Sequence, residues 1–268
     1  MASKRHYIID GHIHIYPNYN LRQAILTGVK NLKKTTNSKN PIVPMWLLVE
    51  RYDCNFFKEA ADSAPIDFDQ SDLVLKRGTE PETLIVEENE VPILYILAGR
   101  QVVTTENLEV LSLATDHFIQ DRTLPARGVV ESINNANGIA AINWAPGKWF
   151  FSRGKVVEQL LNDFQPTELF IGDTSLRPTM WTTPTLMENA RQRGFKTIAG
   201  SDPLPFDNEE KQIGLYCFHV EGEFDESFPA KSLRTLIHKP DTNVHVAGHR
   251  NSTFVFARRQ FKIMTEKR

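Results

Sequence analysis

The sequence predicts a single α/β domain over residues 1–268, arranged as a closed or nearly closed barrel of parallel strands. Apolar runs typical of strands alternate with amphipathic runs typical of helices, which gives about seven β-α units. A length of 268 residues is sufficient for one large α/β domain. The sequence contains no internal repeat, low-complexity tract or linker at which a second domain would begin.

The first elements form a β-α-β unit. Residues 6–10 are a short apolar run with β-branched residues, typical of a strand. The stretch NLRQAILTGVKNLKK predicts a helix, because four apolar residues recur at helical spacing. These are Leu21, Ile25, Val29 and Leu32. The apolar run PIVPMWLLVE then predicts a buried strand that ends at Glu50, so the two strands should be parallel with a right-handed crossover.

The segment 65–110 is less regular, and its runs SDLVLKR, TLIVEEN and ILYILAG predict a β-rich elaboration of the barrel. Alternation returns at about residue 125, with GVVESINNANG and RGKVVEQLLNDF as helices and IAAINWAPG and ELFIGD as strands. The best-specified helix is TPTLMENARQRG, with Thr183 as N-cap, Pro184 in the first turn and Gly194 at the end. The strands KTIAGSD, IGLYCFHVEGE and TNVHVAG and the helix SLRTLIHKP complete the barrel.

Composition excludes several classes of partner. The content of 41% hydrophobic and 24% charged residues is ordinary for a soluble globular protein, and a net charge of -2 gives no field that would attract nucleic acid. Cys54 and Cys217 lie in unrelated segments, which predicts two unpaired thiols in a reducing compartment. No apolar run approaches the ~20 residues that span a bilayer, and the start lacks the apolar region of a signal peptide. We therefore expect a cytoplasmic protein with no nucleic-acid or membrane partner.

His12 and His14 end the first predicted strand in the run YIIDGHIHIY. In a strand, residues i and i+2 point to the same face, so both imidazoles can converge on one ion such as Zn²⁺. Two satisfied polar residues at a strand end are the alternative interpretation. Asp10, just before the pair, is expected to orient the local backbone or a ligand imidazole.

Further candidates follow other predicted strands, because barrel enzymes collect their chemistry at strand carboxyl ends. Asp202, in AGSDPLPF, can complete the ligand set or take a proton from a bound water, although it can equally cap the turn before Pro203. Glu50 and Asp173 end apolar strands and are further candidate metal ligands, unless they lie at a rim open to water. His249, in GHRNS after the last strand, is a second candidate catalytic residue beside Asp202.

Three basic residues after strands predict a site for an anionic group. Arg250 can bind a phosphate or carboxylate with its forked guanidinium, and Arg177 and Lys148 can add to such a site. Taken alone, each of these residues can equally be an ordinary solvent-exposed charge. The expected partner is therefore a small anionic substrate.

The runs DGHIHIY, LEVLSLATD, AAINWAPGKW with RGKVVEQLL, ENARQRGFKTIAGSDPLPF and EEKQIG follow one another over about residues 7–250. This order of motifs resembles the PHP (polymerase and histidinol phosphatase) family of metal-dependent phosphoesterases. The resemblance implies a distorted (β/α)7 barrel, similar to a TIM barrel, and hydrolysis of phosphate esters by a cluster of metal ions bound to His, Asp and Glu.

The resemblance also implies a reduced ligand set. His12 and His14 match the opening motif, and Asp202 is retained in the closing GSD. Other family ligands are replaced: the family's glutamate by Gln101, the histidine of HPG by Ala145, and the last histidine by Pro203 or Leu204. Three ligands suffice for one ion with an open position but not for a full cluster. We therefore expect one or two divalent ions at most, of Zn, Mn or Fe.

The sequence leaves the activity open between three functions. The first is a metal-dependent hydrolase that attacks a phosphate ester or a similar anionic substrate with a metal-activated water. The second is a catalytically silent relative that binds a ligand or a partner, which the replaced ligands favour. The third is a hydrolase of the amidohydrolase or TatD type, although such sites need two further histidines on middle strands.

Overall fold

The computed structural model describes residues 3–68 and 72–266. Within them, two mixed β-sheets are flanked by seven α-helices. The strands are β1 (Ser3–Ile13), β2 (Ile42–Leu48), β3 (Ile66–Asp67), β4 (Leu73–Arg77), β5 (Thr83–Glu88), β6 (Val91–Leu97), β7 (Gly99–Val103), β8 (Glu109–Leu113), β9 (Ile139–Asn143), β10 (Phe170–Thr174), β11 (Thr197–Gly200), β12 (Tyr216–Phe224) and β13 (His245–Gly248). The helices are α1 (Leu21–Lys33), α2 (Phe56–Ser63), α3 (Ala126–Asn135), α4 (Phe151–Asp163), α5 (Thr185–Gln192), α6 (Pro229–Ile237) and α7 (Thr253–Glu266), with a 3-10 turn at Glu209–Gln212.

The larger sheet has the strand order β13-β12-β1-β2-β6-β5-β4-β3. Its strands β1 and β2 are parallel and connected by α1, so the predicted β-α-β unit is confirmed. The side chain of Asn20 caps α1 by accepting a hydrogen bond from the Gln23 N–H at 2.9 Å. The predicted apolar face of α1 is buried, with Ile25 and Leu32 fully inaccessible.

The smaller sheet has the order β11-β10-β9-β8-β7. Strands β9, β10 and β11 are parallel, as the alternation of strands and helices predicts, but β8 is antiparallel to both β9 and β7. The central core lies between the two sheets. It combines residues of the larger sheet, such as Tyr7 and Met45, with residues of the smaller one, such as Phe170 and Ile198.

The predicted (β/α)7 TIM-like barrel is wrong, because the strands form two separate sheets and neither closes on itself. The prediction assumed that each strand is followed by a helix and is therefore parallel to the next. Strands β3 to β8 instead follow one another without an intervening helix and pair antiparallel at most positions, and β12 is antiparallel to β1 and β13. The fold is therefore a two-sheet α/β arrangement. The segment 65–110, expected to be β-rich, contributes β3 to β7 and the start of β8.

The two sheets meet where β1 passes β11, and two glycines allow the approach. A Cβ atom on Gly200 would lie 2.3 Å from the His12 backbone nitrogen, and a Cβ on Gly11 would lie 2.5 Å from the Ile198 side chain. Beyond β11, the Asp202 N–H donates to the His12 carbonyl at 2.9 Å. We call this contact between β1 and β11 the seam.

The helix α7 has no counterpart in the sequence prediction, which assigned no element after the last strand. It places Arg259 in the interior, where the side chain is 2% exposed, and Ile263 beside a cavity at the end of the seam. In the described ranges, no helix is both long and apolar enough to cross a membrane.

Candidate metal centre

Three predicted ligands come together at the end of the seam. The Nε2 atoms of His12 and His14 are 3.2 Å apart, and Asp202 Oδ1 lies 3.6 Å from the first and 3.7 Å from the second. His12 belongs to β1, His14 follows it directly, and Asp202 follows β11 of the other sheet. In the described part of the chain, this is the only group of three or more His, Cys, Asp or Glu side chains close enough to hold one ion.

These separations fit a tetrahedral ion. With bonds of about 2.0–2.1 Å, two ligand atoms of a tetrahedral zinc site lie roughly 3.3–3.4 Å apart. The observed 3.2, 3.6 and 3.7 Å are within a few tenths of an ångström of this spacing. The three side chains would thus need only small adjustments to bind a common cation and leave a fourth position open.

Burial sets the protonation of the two imidazoles. Burial lowers the pKa of His12 to about 3, and burial together with the neighbouring His12 lowers the pKa of His14 to about 3 as well. Both rings are therefore neutral at pH 7, which is the form that binds a metal. Burial also raises the pKa of Asp202, while the nearby His14 and Arg259 oppose that shift.

Asp10 fixes the backbone on both sides of the seam. Its carboxylate accepts hydrogen bonds from the backbone N–H groups of His12 at 3.2 Å, Ser201 at 2.8 Å and Gly214 at 2.7 Å. Complete burial raises its pKa to about 7, against these donors, which favour the ionised form. Asp10 thus positions the segments that carry the candidate ligands.

Asp202 adopts a backbone conformation that is unusual for a residue other than glycine, with a φ of 50°. Contacts on both sides of the residue hold it there. Its N–H donates to His12, and its carbonyl accepts from Arg259 Nη2 at 2.9 Å. Arg259 is itself held by Glu209 Oε2 at 2.6 Å. Strained residues of this kind concentrate at functional sites, where surrounding contacts fix their geometry.

One feature departs from common metal sites. Ligand histidines usually donate their second ring N–H to an acceptor. The Nδ1 atom of His12 is buried and has no hydrogen-bond partner among the described residues. The orientation of this ring is therefore set by packing and by His14 rather than by an outer hydrogen bond.

The cluster opens into a cavity of about 300 Å³, which we call the seam cavity. His14, Asp202, Arg51 and Glu109 contribute its polar wall. Three positions at which the family resemblance implies replaced ligands also line it: Gln101, Ala145 and Leu204. The cavity wall is therefore neutral at these three positions.

Glu109 is a functional candidate that the sequence prediction missed. Its carboxylate accepts from Asn143 Nδ2 at 3.2 Å and lies 3.7 Å from Lys148 Nζ. Burial raises the pKa of Glu109, Lys148 and Asn143 oppose this shift, and the negative Asp202 adds to it. Site residues were expected at the carboxyl ends of strands, whereas Glu109 is the first residue of β8. Because β8 runs antiparallel to β9, Glu109 nevertheless lies beside the carboxyl end of β9.

Glu50 does not join the cluster. Its Oε1 accepts from the Phe57 N–H at 2.8 Å at the start of α2, and its Oε2 lies 3.7 Å from Arg100 Nη2. This carboxylate faces a separate cavity, where it holds α2 against β7.

Asp173 and Arg177 bind each other instead of a metal and a substrate. Arg177 donates from Nε and Nη2 to the two carboxylate oxygens of Asp173 at 2.8 and 2.6 Å, and the Tyr216 hydroxyl adds a third bond at 2.8 Å. The pair is buried, with Asp173 inaccessible and Arg177 2% exposed. Its polar atoms are thus engaged within the protein.

The remaining predicted residues lie outside the cluster. His249 is exposed, and Arg250 donates to the carbonyls of Pro178 and Trp181 at 3.4 and 3.2 Å. Lys148 is nearer, because it pairs with Glu109 while donating to the Asn107 carbonyl at 3.0 Å.

No family model and no curated protein matches this chain. Five chains of solved structures do match, and one of them is the crystal structure of PsfC from Pseudomonas syringae PB-5123. The similarity covers 98% of each chain with a TM-score of 0.52 and 10% sequence identity. At this identity it concerns the fold alone, so the similarity supports the two-sheet α/β arrangement and assigns no activity.

Proposed function

We propose that this protein binds one divalent cation through His12, His14 and Asp202 and hydrolyses a small phosphate ester. The observation that carries the proposal is the set of three ligand atoms 3.2–3.7 Å apart at the edge of an open cavity of about 300 Å³. A cavity of this size accommodates a phosphate group with a small substituent. Two imidazole nitrogens and one carboxylate oxygen favour Zn²⁺, with Mn²⁺ and Fe²⁺ as the alternatives.

The bound ion would lower the pKa of a coordinated water to about 7 and polarise a phosphoryl oxygen. The products follow from atom balance: the hydroxyl of water joins phosphorus, the bond from phosphorus to the alcohol oxygen breaks, and a proton passes to that oxygen. The protein must therefore supply a proton donor for the leaving oxygen and a cationic side chain that binds the negatively charged phosphate.

Glu109 and Arg51 are placed for these two tasks. The raised pKa of Glu109 favours a protonated carboxyl that can donate to the leaving oxygen, and the residue lines the same cavity as Asp202. Arg51 follows β2 and lines the same cavity; its guanidinium is paired with Asp53 at 3.2 Å in an exposed ion pair and can exchange that partner for a phosphate oxygen. Neutral imidazoles at pH 7 keep both histidines in their ligand form.

A second candidate function is binding without hydrolysis. The neutral side chains Gln101 and Ala145 in the cavity wall and the unpartnered Nδ1 of His12 favour it, because each removes a feature that active metal sites commonly have. The two candidates agree on the cation and differ only in turnover.

Metal analysis and a phosphatase assay test the proposal together. Purified wild type should contain or take up about one equivalent of Zn, Mn or Fe, and the loaded protein should hydrolyse simple phosphate esters. His14→Ala should lose both properties. His245→Ala removes an exposed histidine far along the chain and should keep both.

Metal in wild type without turnover would support the binding function and refute hydrolysis. Absence of stoichiometric metal after loading would refute both. Equal metal content in wild type and His14→Ala would show that the ion binds elsewhere.

A further inference from the structure

A second cleft adjoins the seam cavity and has a different chemistry. It measures about 380 Å³ and shares Arg51 and Gln101 with the seam cavity. Its wall carries the aromatic rings of Tyr52 and Phe118 and three arginines. We call it the arginine–aromatic cleft.

Two stacked pairs shape this cleft. The guanidinium carbon of Arg122 lies 4.1 Å from the centroid of the Tyr52 ring, and that of Arg100 lies 4.6 Å from the centroid of Phe118. The rings remain open to solvent, with Tyr52 59% and Phe118 43% exposed. Exposed aromatic rings that line a cleft, rather than standing singly on the surface, indicate a binding site.

The two arginine side chains differ in how firmly hydrogen bonds hold them. Arg100 is fixed by the Cys54 carbonyl at 3.0 Å and by Asn55 Oδ1 at 3.0 Å, so it gives Phe118 a rigid support. Arg122 is exposed and covers Tyr52 from a loop. A planar ligand can therefore stack on Phe118 or Tyr52, or on the flat face of Arg122, without disturbing the fold.

The lining of the cleft suits a planar ligand with polar edges. Of its three guanidinium groups, Arg51 is paired with Asp53 at 3.2 Å and Arg100 lies 3.7 Å from the Glu50 carboxylate, which leaves Arg122 as the one outside these ion pairs. Asp121 is also engaged, because it accepts from the N–H of Thr123 at 2.8 Å. At the boundary between the two cavities, the Gln101 amide offers both a donor and an acceptor to the polar edge of a heterocycle.

From this continuity we infer that the substrate is a phosphate ester whose alcohol part carries a planar aromatic ring, such as a nucleoside monophosphate. The phosphate would lie in the seam cavity and the ring in the arginine–aromatic cleft. Aromatic and arginine stacking recognises such rings in many proteins. The inference rests on the proposed function for the phosphate end only, because the cleft can be tested with a ligand that has no phosphate.

Adenosine supplies that first test. By isothermal titration calorimetry, wild type should bind adenosine, while Tyr52→Leu and Phe118→Leu should each weaken binding about tenfold. Both residues are exposed, so their leucine variants should keep the wild-type melting temperature. Phe228→Leu is the matched control, since Phe228 is 40% exposed and lies under Lys231 at 5.7 Å, outside both cavities. Lack of adenosine binding, or equal binding by the cleft variants and wild type, would overturn the inference.

Turnover supplies the second test. The zinc-loaded wild type should prefer adenosine 5′-monophosphate to ribose 5-phosphate about tenfold in kcat/KM, mainly through KM. Tyr52→Leu should remove this preference, whereas the control Phe228→Leu should keep it and leave ribose 5-phosphate hydrolysis unchanged. Equal hydrolysis of the two esters by wild type would overturn the ring site while leaving the proposed function intact. If neither ester is hydrolysed but adenosine binds, the proposed reaction fails and the ring site stands.

Discussion

Replacing Gly200 with alanine tests whether the close contact of the two sheets holds the proposed metal ligands in place. An ideal Cβ at this position would lie 2.3 Å from the His12 nitrogen, 2.4 Å from its Cβ and 2.7 Å from its Cα. Ordinary contacts begin near 3.4 Å. Two of the three atoms are backbone and the third is fixed to it, so β11 must move away from β1 by about 1 Å.

The magnitude follows from two opposing terms. Forcing extra volume into a packed site costs about 1–3 kcal/mol, and these very short contacts place Gly200→Ala near the upper end. Replacing glycine also lowers the entropy of the unfolded chain, which stabilises by about 0.4–1 kcal/mol. The net loss should be about 2–2.6 kcal/mol, or a fall in melting temperature of roughly 4–10 °C.

The same shift should weaken metal binding. Asp202 is tied to His12 by the 2.9 Å hydrogen bond across the seam, so moving β11 separates the carboxylate from the imidazoles. We expect a loss of about 10–100-fold in zinc affinity, as for other changes that misplace ligands without removing them.

Calorimetric unfolding and a competitive zinc titration measure the two effects. Gly128→Ala is the control, because a Cβ added to Gly128 in α3 would have its nearest atoms 3.5–3.8 Å away, and the helix should tolerate the change or gain stability. If Gly200→Ala melts at the wild-type temperature and keeps its zinc affinity, the seam does not position the ligands.

Three further predictions concern other parts of the molecule. Zinc at a hundredfold excess over its Kd should stabilise wild type by about 2.7 kcal/mol, which is a rise of roughly 5–11 °C in melting temperature, and a chelator should reverse that rise. Asp202→Asn should lose most of this stabilisation, and an undiminished rise in that variant would exclude Asp202 as a ligand. Burial lowers the pKa of His219 from 6.5 to about 4, so between these pH values the unfolded state binds more protons than the folded state. The stability that this group contributes is complete above pH 6.5 and should fall by up to about 1.4 kcal/mol per pH unit as the pH drops toward 4. His219→Gln should flatten that part of the curve in urea unfolding measured across pH, and an unchanged slope would contradict the assignment. Arg177→Met should lower the free energy of unfolding by about 3–5 kcal/mol, because it leaves the Asp173 carboxylate buried without its cation. Adding Asp173→Asn to the same variant should restore part of that loss. If Arg177→Met alone leaves the stability unchanged, the buried pair does not have this role.

The local elements of this fold are readable from the sequence, whereas the strand directions are not. The helical spacing of Ile25 and Leu32 and the apolar run before Glu50 are enough to predict α1 and β2. Strand direction depends on pairing across the sheet. The short connections from β4 to β5, from β5 to β6 and from β7 to β8 each join antiparallel neighbours, and that signal is weaker than the periodicity that suggested a barrel.

The same distinction decides which site residues could be predicted. The i, i+2 spacing of His12 and His14 at a strand end is a local signal, and the structure places their Nε2 atoms 3.2 Å apart. Glu109 has no such signal, because its place at the cavity depends on the antiparallel course of β8. Asp173 resembles Asp202 in sequence, but an arginine four residues later satisfies its carboxylate.

The seam also has a consequence for the order of folding. The bond from the Ser201 N–H to Asp10 joins positions 191 residues apart, and the ligands on the two sides are almost as distant along the chain. Closing so long a loop is slow and entropically costly, so the complete ligand set exists only after both sheets have docked. A cation that binds this set would not accelerate refolding. It would slow unfolding, because its bonds to ligands on both sheets must break before the two sheets can separate.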